Sequence, residues 1–430
     1  MSSTQQVFKI IPTTQQYDWG KIGNSAKVAQ FAVASRLPGF AINEKTPYAE
    51  LWMGTHPKSP SHVLSTGEEL SKHLAAHPQL IGKDVISKFD AGEGNLPFLF
   101  KVLSIEKALS IQSHPDKPTA EKLFLSQPDI YKDPNHKPEM TLALTPFNAM
   151  CGFRPLPALA TALQSTPELA ALIPGSILQH FLSLALSPTA HVDPTGPAEK
   201  AALRDVFSAV MTASTDIYTQ HLDILVSRYK AGNVNPGEEP ERIALVLRLA
   251  DQFPGDIGIF CAFLLNYVNL QPGEAIFLGA GEPHAYVSGE CMECMANSDN
   301  VIRAGLTPKL RDVPNLVATL TYNASEPGKH AVSPVPFSSE KGPSTLYNPP
   351  IPEFSVIQVK LPSDLKEETH RPVQGPSIGI VTGGGGVVNW GNGELELRLG
   401  DVFFIGAGVE VKFGNRGEGE LVVYRAFVES

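Results

Sequence analysis

The sequence predicts a mainly-β fold with an α-helical insertion, built as two β-barrels and one helical domain. Three observations carry that prediction. A glycine-rich unit at residues 270–284 returns at 397–411 without a gap, so that Gly273 matches Gly400, Glu274 matches Asp401 and Phe277 matches Phe404. The run Gly279, Ala280, Gly281 matches Gly406, Ala407, Gly408 in the same register. Repetition of this kind marks two copies of one structural unit. Between residues 155 and 269 the composition turns to Ala and Leu, and β-branched alternation fades. From residue 353 onward the pattern is β again. The expected domains are therefore 1–154 with 270–332 as a discontinuous first barrel, 155–269 as a helical insertion, and 333–430 as a second, degenerate barrel.

The elements follow in order. Val7, Phe8, Ile10 and Ile11 read as a first strand, and Leu70, Leu74 and Leu80 have helical spacing. Residues 96–105 form an apolar strand interrupted by Lys101, where an unpaired buried charge is costly. Gln112 and His114 lie two apart, so an extended chain points them to one face. Glu139 opens another strand that runs to Leu144. Across 203–225 apolar residues recur at three- and four-residue steps, which predicts one amphipathic helix. Helices are also expected at 243–249 and 257–267, with the β pattern resuming at Leu270 and running through Cys294. Asp312, followed by Pro314, opens a short helix. Residues 333–352 are rich in Ser and Pro and read as a linker. Residues 383–386 are glycines between two strands, hence a turn and not a phosphate loop.

Bulk properties narrow the function. A net charge of -10 argues against nucleic acid as the main partner, and an anionic substrate would need a local basic pocket. Four cysteines in 430 residues make no disulfide framework. No signal-peptide pattern opens the chain and no apolar run is long enough for a membrane span, so a cytoplasmic location without membrane contact is expected. Cys291 and Cys294 read as structural residues of a buried strand, with no second pair to make a zinc or redox motif. His56 with Pro57, and the stretch from Tyr17 to Gly20, read as turn and packing elements.

Two constellations carry chemistry. Gln112, His114, Glu139 and His284 could converge inside a barrel, and two nitrogens with two oxygens suit zinc. Taken singly, each is more often a structural residue. The repeat lifts His284 above that, because Val411 stands in its place in the second copy. The second constellation is basic: Lys101, Lys137, Arg303 and Lys309, whose bland reading is a set of surface cations. Glu293 lies nine residues after His284, so simple alternation sets the two on opposite faces unless a bulge intervenes.

Several stretches together resemble type I mannose-6-phosphate isomerases of the fungal form. They are YAELWMGTHP at 48–57, KALSIQSHPDK at 107–117, NHKPE at 135–139, GAGEPHAY at 279–286 and SDNVIRAGLTPK at 298–309. The resemblance covers nearly the whole chain. It implies cupin-type (jelly-roll) barrels with a helical insertion. It also implies a zinc enzyme, one Zn2+ per chain, that interconverts D-mannose 6-phosphate and D-fructose 6-phosphate and feeds GDP-mannose synthesis. The family's zinc ligands fall on Gln112, His114, Glu139 and His284, its essential arginine on Arg303 and an active-site lysine on Lys137. Ser113 stands where many relatives have alanine. The substrate contacts expected are Lys101, Ser110, Glu293, Lys309, Tyr286 and Trp19, with the phosphate among Lys101, Ser110 and residues 303–309. A monomer is expected. Two rivals stay open: another cupin metalloenzyme such as an iron dioxygenase, and a sugar- or seed-storage-type protein that binds without turnover.

Overall fold

The computed structural model describes residues 5–187, 193–338, 342–365 and 367–429. Among these, strands form sheets of ten, eight, four and two members. Their pairings are antiparallel. The ten-stranded sheet is built around one long strand, His284–Ala296, buried along almost its whole length. This strand pairs with Phe98–Ile105, Glu139–Ala143, Phe147–Phe153 and Ile111–Ser113. Phe98–Ile105 is buried at every position, Lys101 included.

The repeat is conformational as well as sequential. Gly273 and Gly400 have φ of 93° and 82°, and Gly281 and Gly408 have φ of 72° and 75°. Glu274 accepts the Gln271 N–H on its side chain at 2.8 Å, and Asp401 accepts the Arg398 N–H at 2.8 Å. Each turn is then followed by a strand, Ala275–Leu278 in one copy and Val402–Ile405 in the other. His284 and Val411 each open the next strand, at matching places.

Three boundaries differ from those the sequence implied. Val7–Ile11 pairs with Val402–Ile405, so the first strand belongs to the eight-stranded sheet that otherwise comes mostly from the last hundred residues. His62–Val63 extends the same edge. Backbone pairing is indifferent to sequence distance, and apolar periodicity cannot say which edge a strand will join. The insertion ends earlier than expected: its last helix is Cys261–Leu264, and Leu265–Leu270 is already a strand paired with Phe147–Phe153. The stretch read as a linker holds two short strands, Val335–Pro336 and Ser344–Tyr347, the second paired with Ser355–Leu361; its residues 339–341 lie outside the described residues.

The insertion contains Leu156–Ser165, Pro167–Ala170, Gly175–Ala185, Pro197–Met211, Thr215–Lys230 and Pro240–Gln252. The single helix expected over 203–225 is two, broken at residues 212–214, where the Thr212 hydroxyl donates to the Ser208 carbonyl at 2.7 Å. Apolar faces of these helices pack with Ala285, Val287, Ile302 and Leu306 from the sheet in one core. The helix expected at Asp312 is Val313–Thr319, with the Asp312 carboxylate accepting the Asn315 N–H at 3.2 Å. All four cysteines are free and buried.

The matched glycines give a paired test. A Cβ on Gly273 would meet nothing within 3.9 Å, whereas one on Gly400 would lie 2.4 Å from the Phe31 carbonyl oxygen. Gly273→Ala should cost about 1–2 kcal/mol, the strain of a left-handed L-residue. Gly400→Ala should cost at least about 1 kcal/mol more, because a packed backbone must shift. Unfolding midpoints of the two variants, measured side by side, check the order.

Candidate metal centre and cleft

Glu139 opens the strand Glu139–Ala143 and lies opposite Leu278 and Met295, inside the sheet. Two imidazoles converge on it. His114 Nε2 lies 3.3 Å from Glu139 Oε1, and His284 Nε2 lies 3.4 Å from Oε2. Both rings are fully buried. The other nitrogen of each ring is committed: His114 Nδ1 donates to the Asn300 carbonyl at 2.6 Å, and His284 Nδ1 donates to the Glu282 carbonyl at 2.9 Å. A carbonyl can only accept, so the proton sits on Nδ1 and each Nε2 turns a lone pair inward. Neither Nε2 has a hydrogen-bond partner. Two orphaned buried lone pairs beside a carboxylate are expensive in a protein interior unless a cation joins them. These three side chains can hold one metal ion.

Gln112 lies on the neighbouring strand Ile111–Ser113. It lies directly opposite His284 on one side and Arg303 on the other. Directly paired residues share a face, so His284, Gln112 and Arg303 form a row across three strands. Lys137 contacts Glu139 through its ammonium. Burial alone would raise the Glu139 carboxyl, but Lys137 and His114 outweigh it and hold the group well below the usual carboxylate range. Tyr286 donates its hydroxyl to Glu139 at 3.2 Å and accepts from Thr141 at 2.6 Å.

Above this cluster opens a cleft of about 760 Å³. Gln112, Lys137 and Glu139 form part of its lining, together with Ser110, Trp19, Lys101, Glu293, Arg303 and Lys309. Lys101 is held by Glu293 at 3.0 Å and Glu50 at 3.3 Å, and its ammonium sits over the Trp52 ring at 5.0 Å. Burial would lower this lysine, yet Glu293 and Glu50 outweigh it and raise it. Its charge is thus already balanced, which weakens the expected role of Lys101 against the phosphate. Arg303 and Lys309 differ. Among the described residues, neither side chain forms a hydrogen bond or ion pair, and burial lowers the Arg303 guanidinium.

Glu293 reaches the same cleft despite its odd separation from His284. Asn148 pairs with Ser288 while Ala149 pairs with Tyr286, which leaves Val287 as an extra residue in the strand. That bulge reverses the parity, so side chains before and after it can serve one cavity. Tyr286 is a correction. It was expected at the substrate, but it is 1% exposed and stands behind Glu139. Sequence reasoning missed Glu50 and Asp256, both on the cleft wall. Glu50 had a signal, since buried Lys101 demanded a carboxylate; Asp256 had none.

The second copy shows what replaces the cluster. His370 lies opposite Val411, as Gln112 lies opposite His284, and Ser377 lies opposite Ile405, as Glu139 lies opposite Leu278. Arg425, 1% exposed, bridges the two: it approaches His370 Nδ1 at 3.3 Å and donates to Ser377 Oγ at 2.9 Å. A fixed guanidinium occupies the interior there.

A buried imidazole pair with free lone pairs, under a cleft with unpaired cations, is the arrangement of a metal-dependent enzyme acting on a small anion. Known proteins agree. Three family models match: phosphomannose isomerase type I catalytic domain over residues 7–156, helical insertion domain over 180–265 and C-terminal over 344–392. Mannose-6-phosphate isomerase of Cryptococcus neoformans is 50% identical over 99% of each chain, and that of Saccharomyces cerevisiae is 45% identical over 99% of each. A Salmonella typhimurium mannose 6-phosphate isomerase solved with fructose 6-phosphate and zinc has a TM-score of 0.80 and 32% identity, covering 99% of this chain and 100% of that one. A mannose 6-phosphate isomerase solved with zinc and yttrium superposes with a TM-score of 0.80 at 31% identity, over 99% of this chain and 100% of its own. The chain belongs to the type I phosphomannose isomerase family.

Tyr286→Phe removes the hydroxyl that steadies Glu139 without opening the cleft. Metal affinity should fall at least about tenfold, as measured by competition with a chromophoric chelator.

Proposed function

We propose that this chain is a monomeric, cytoplasmic, zinc-dependent mannose-6-phosphate isomerase with two cupin-type barrels, residues 1–154 with 270–332 and residues 333–430, and a helical insertion at 155–269. The strand Val7–Ile11 is then an arm of the first unit clasped by the second. The observation that carries the functional reading is the orphaned Nε2 pair of His114 and His284 on Glu139, at the floor of a cleft walled by unpaired Arg303 and Lys309.

Gln112, His114, Glu139 and His284 are assigned as the zinc ligands. Zinc, when bound there, supplies a Lewis acid for the sugar carbonyl. The remaining work falls to the chain. Lys309, Ser110 and Arg303 present donors for the phosphate. Lys101 and Glu293, locked together, offer a matched donor and acceptor to sugar hydroxyls, and Trp19 supplies an apolar wall. Isomerisation removes the C2 proton of the open-chain aldose and leaves a cis-enediolate. Protonation at C1, with the O2 proton passed to O1, then gives the ketose. Lys137 is assigned to proton carriage at C1 and C2. Arg303 is assigned to the negative charge developing on the oxygens, since guanidinium remains protonated and serves poorly as a base.

Three tests follow. A coupled assay should show interconversion of the two hexose phosphates, abolished by chelation and restored by zinc, at one zinc per chain. Iron with oxygen uptake would instead favour a dioxygenase, and metal binding without turnover a storage role. Arg303→Ala should lower kcat by about 10²–10³ with zinc content unchanged; loss of zinc would remove Arg303 from this role. Lys137→Ala should slow exchange of the substrate C2 proton with deuterated solvent, followed by NMR, in parallel with turnover.

A further inference from the structure

The helical insertion lines the cleft with Tyr218, Phe253, Pro254, Gly255, Ile257 and one carboxylate, Asp256. Asp256 follows Pro240–Gln252 and opens the short helical turn Ile257–Phe260. Its Oδ1 accepts Gly258 N–H at 2.7 Å, within its own segment. The same oxygen accepts Leu306 N–H at 2.7 Å, and Oδ2 accepts Thr307 N–H at 3.1 Å. Both of those amides belong to the loop that leaves the Ile302–Gly305 strand and carries Lys309.

That loop needs such a hold. Leu306 has a positive φ of 55°, a conformation a branched L-residue rarely adopts without outside support. The strand before it is irregular, with a register shift between Arg303 and Gly305. The two segments meet backbone to backbone: a Cβ on Gly305 would lie 2.4 Å from Gly258 Cα and 2.9 Å from Asp256 Oδ1. A second tie runs parallel, with Arg311 donating to Ala304 O at 2.7 Å and to Met211 O, at a helix end of the insertion, at 3.2 Å. Past the clamp, Lys309 N–H donates to Thr307 Oγ1 at 3.1 Å, so the placement of Thr307 is passed on to the lysine.

We propose that Asp256 is a positioning residue for the substrate's phosphate: the helical insertion uses it to fix the 306–309 loop, and so the Lys309 ammonium, over the cleft. Charge logic agrees. A free carboxylate on the wall of an anion site would repel its ligand, whereas this one is spent on three backbone donors. Arg303 lies upstream, held by pairing with Gln112, and does not depend on the clamp. The inference rests on the reading that Lys309 meets the phosphate.

Asp256→Asn is the informative variant. It keeps the shape but replaces one acceptor by an amide N–H that faces, or forfeits, one of the loop amides. KM for the sugar phosphate should rise about tenfold, with kcat within about threefold of the parent, because the interaction lost serves bound substrate and transition state alike. The inhibition constant of inorganic phosphate should rise by the same factor, while zinc content and thermal midpoint stay at parent values. A merely structural role would instead lower zinc content, thermal midpoint and kcat together. KM within twofold of the parent, or a fall in kcat and zinc at unchanged KM, overturns the clamp. Lys309→Ala is measured alongside. If it raises KM and Asp256→Asn does not, the phosphate reading stands and the clamp falls. If neither raises KM, both fall.

Discussion

Glu139 sits between two imidazoles whose outward nitrogens are tied to backbone carbonyls, and the remaining structure serves that contact. The carbonyls of Asn300 and Glu282 decide which nitrogen of each ring is free. Asn300 is itself pinned, its side chain donating to Asp133 O at 2.8 Å and Asn135 O at 2.7 Å. Tyr286 and Lys137 fix the carboxylate from two further directions. Such a cluster is costly to bury and has little room to relax, because the strands His284–Ala296 and Glu139–Ala143 that carry it are buried along almost their whole length. A cation resolves the cost by using the lone pairs the fold has left over.

Charge is distributed with the same economy. The chain carries a net charge of -10, yet the cleft offers two cations with no partner. Lys101 is not one of them, since Glu50 and Glu293 already neutralise it. Arg303 stands directly opposite Gln112, and Lys309 follows in the loop beyond that strand. The insertion braces the loop that carries Lys309, through the Asp256 carboxylate and through the Met211 carbonyl that Arg311 reaches.

The two copies of the repeat separate what the fold requires from what the chemistry requires. Both keep the left-handed glycines and the acidic cap, because both must turn the chain the same way. Only the first keeps histidine at the head of the following strand. In the second, the Arg425 guanidinium joins His370 to Ser377. One scaffold thus carries either an exchangeable cation or a covalently attached one.

Much of this was legible in the sequence. The repeat register, the helical block, the Asp312 cap and the four residues Gln112, His114, Glu139 and His284 could be read from spacing, composition and motif resemblance, because local periodicity and short motifs are properties of the chain itself. Other features were settled only by assembly. The sequence left the face of Glu293 conditional on a bulge, since one extra residue at Val287 is invisible until a partner strand supplies the register. Val7–Ile11 was recognisable as a strand but not as a member of the far sheet, because backbone pairing carries no sequence label. Tyr286 was expected at the substrate and supports Glu139 instead. Asp256 gave no signal at all, because its role consists of backbone amides brought from fifty residues away. Sequence by itself determined the repeat, the helical block and which residues are able to bind a metal. Tertiary structure decided which faces they share and which charges remain unpaired, since both depend on contacts between segments distant in the chain.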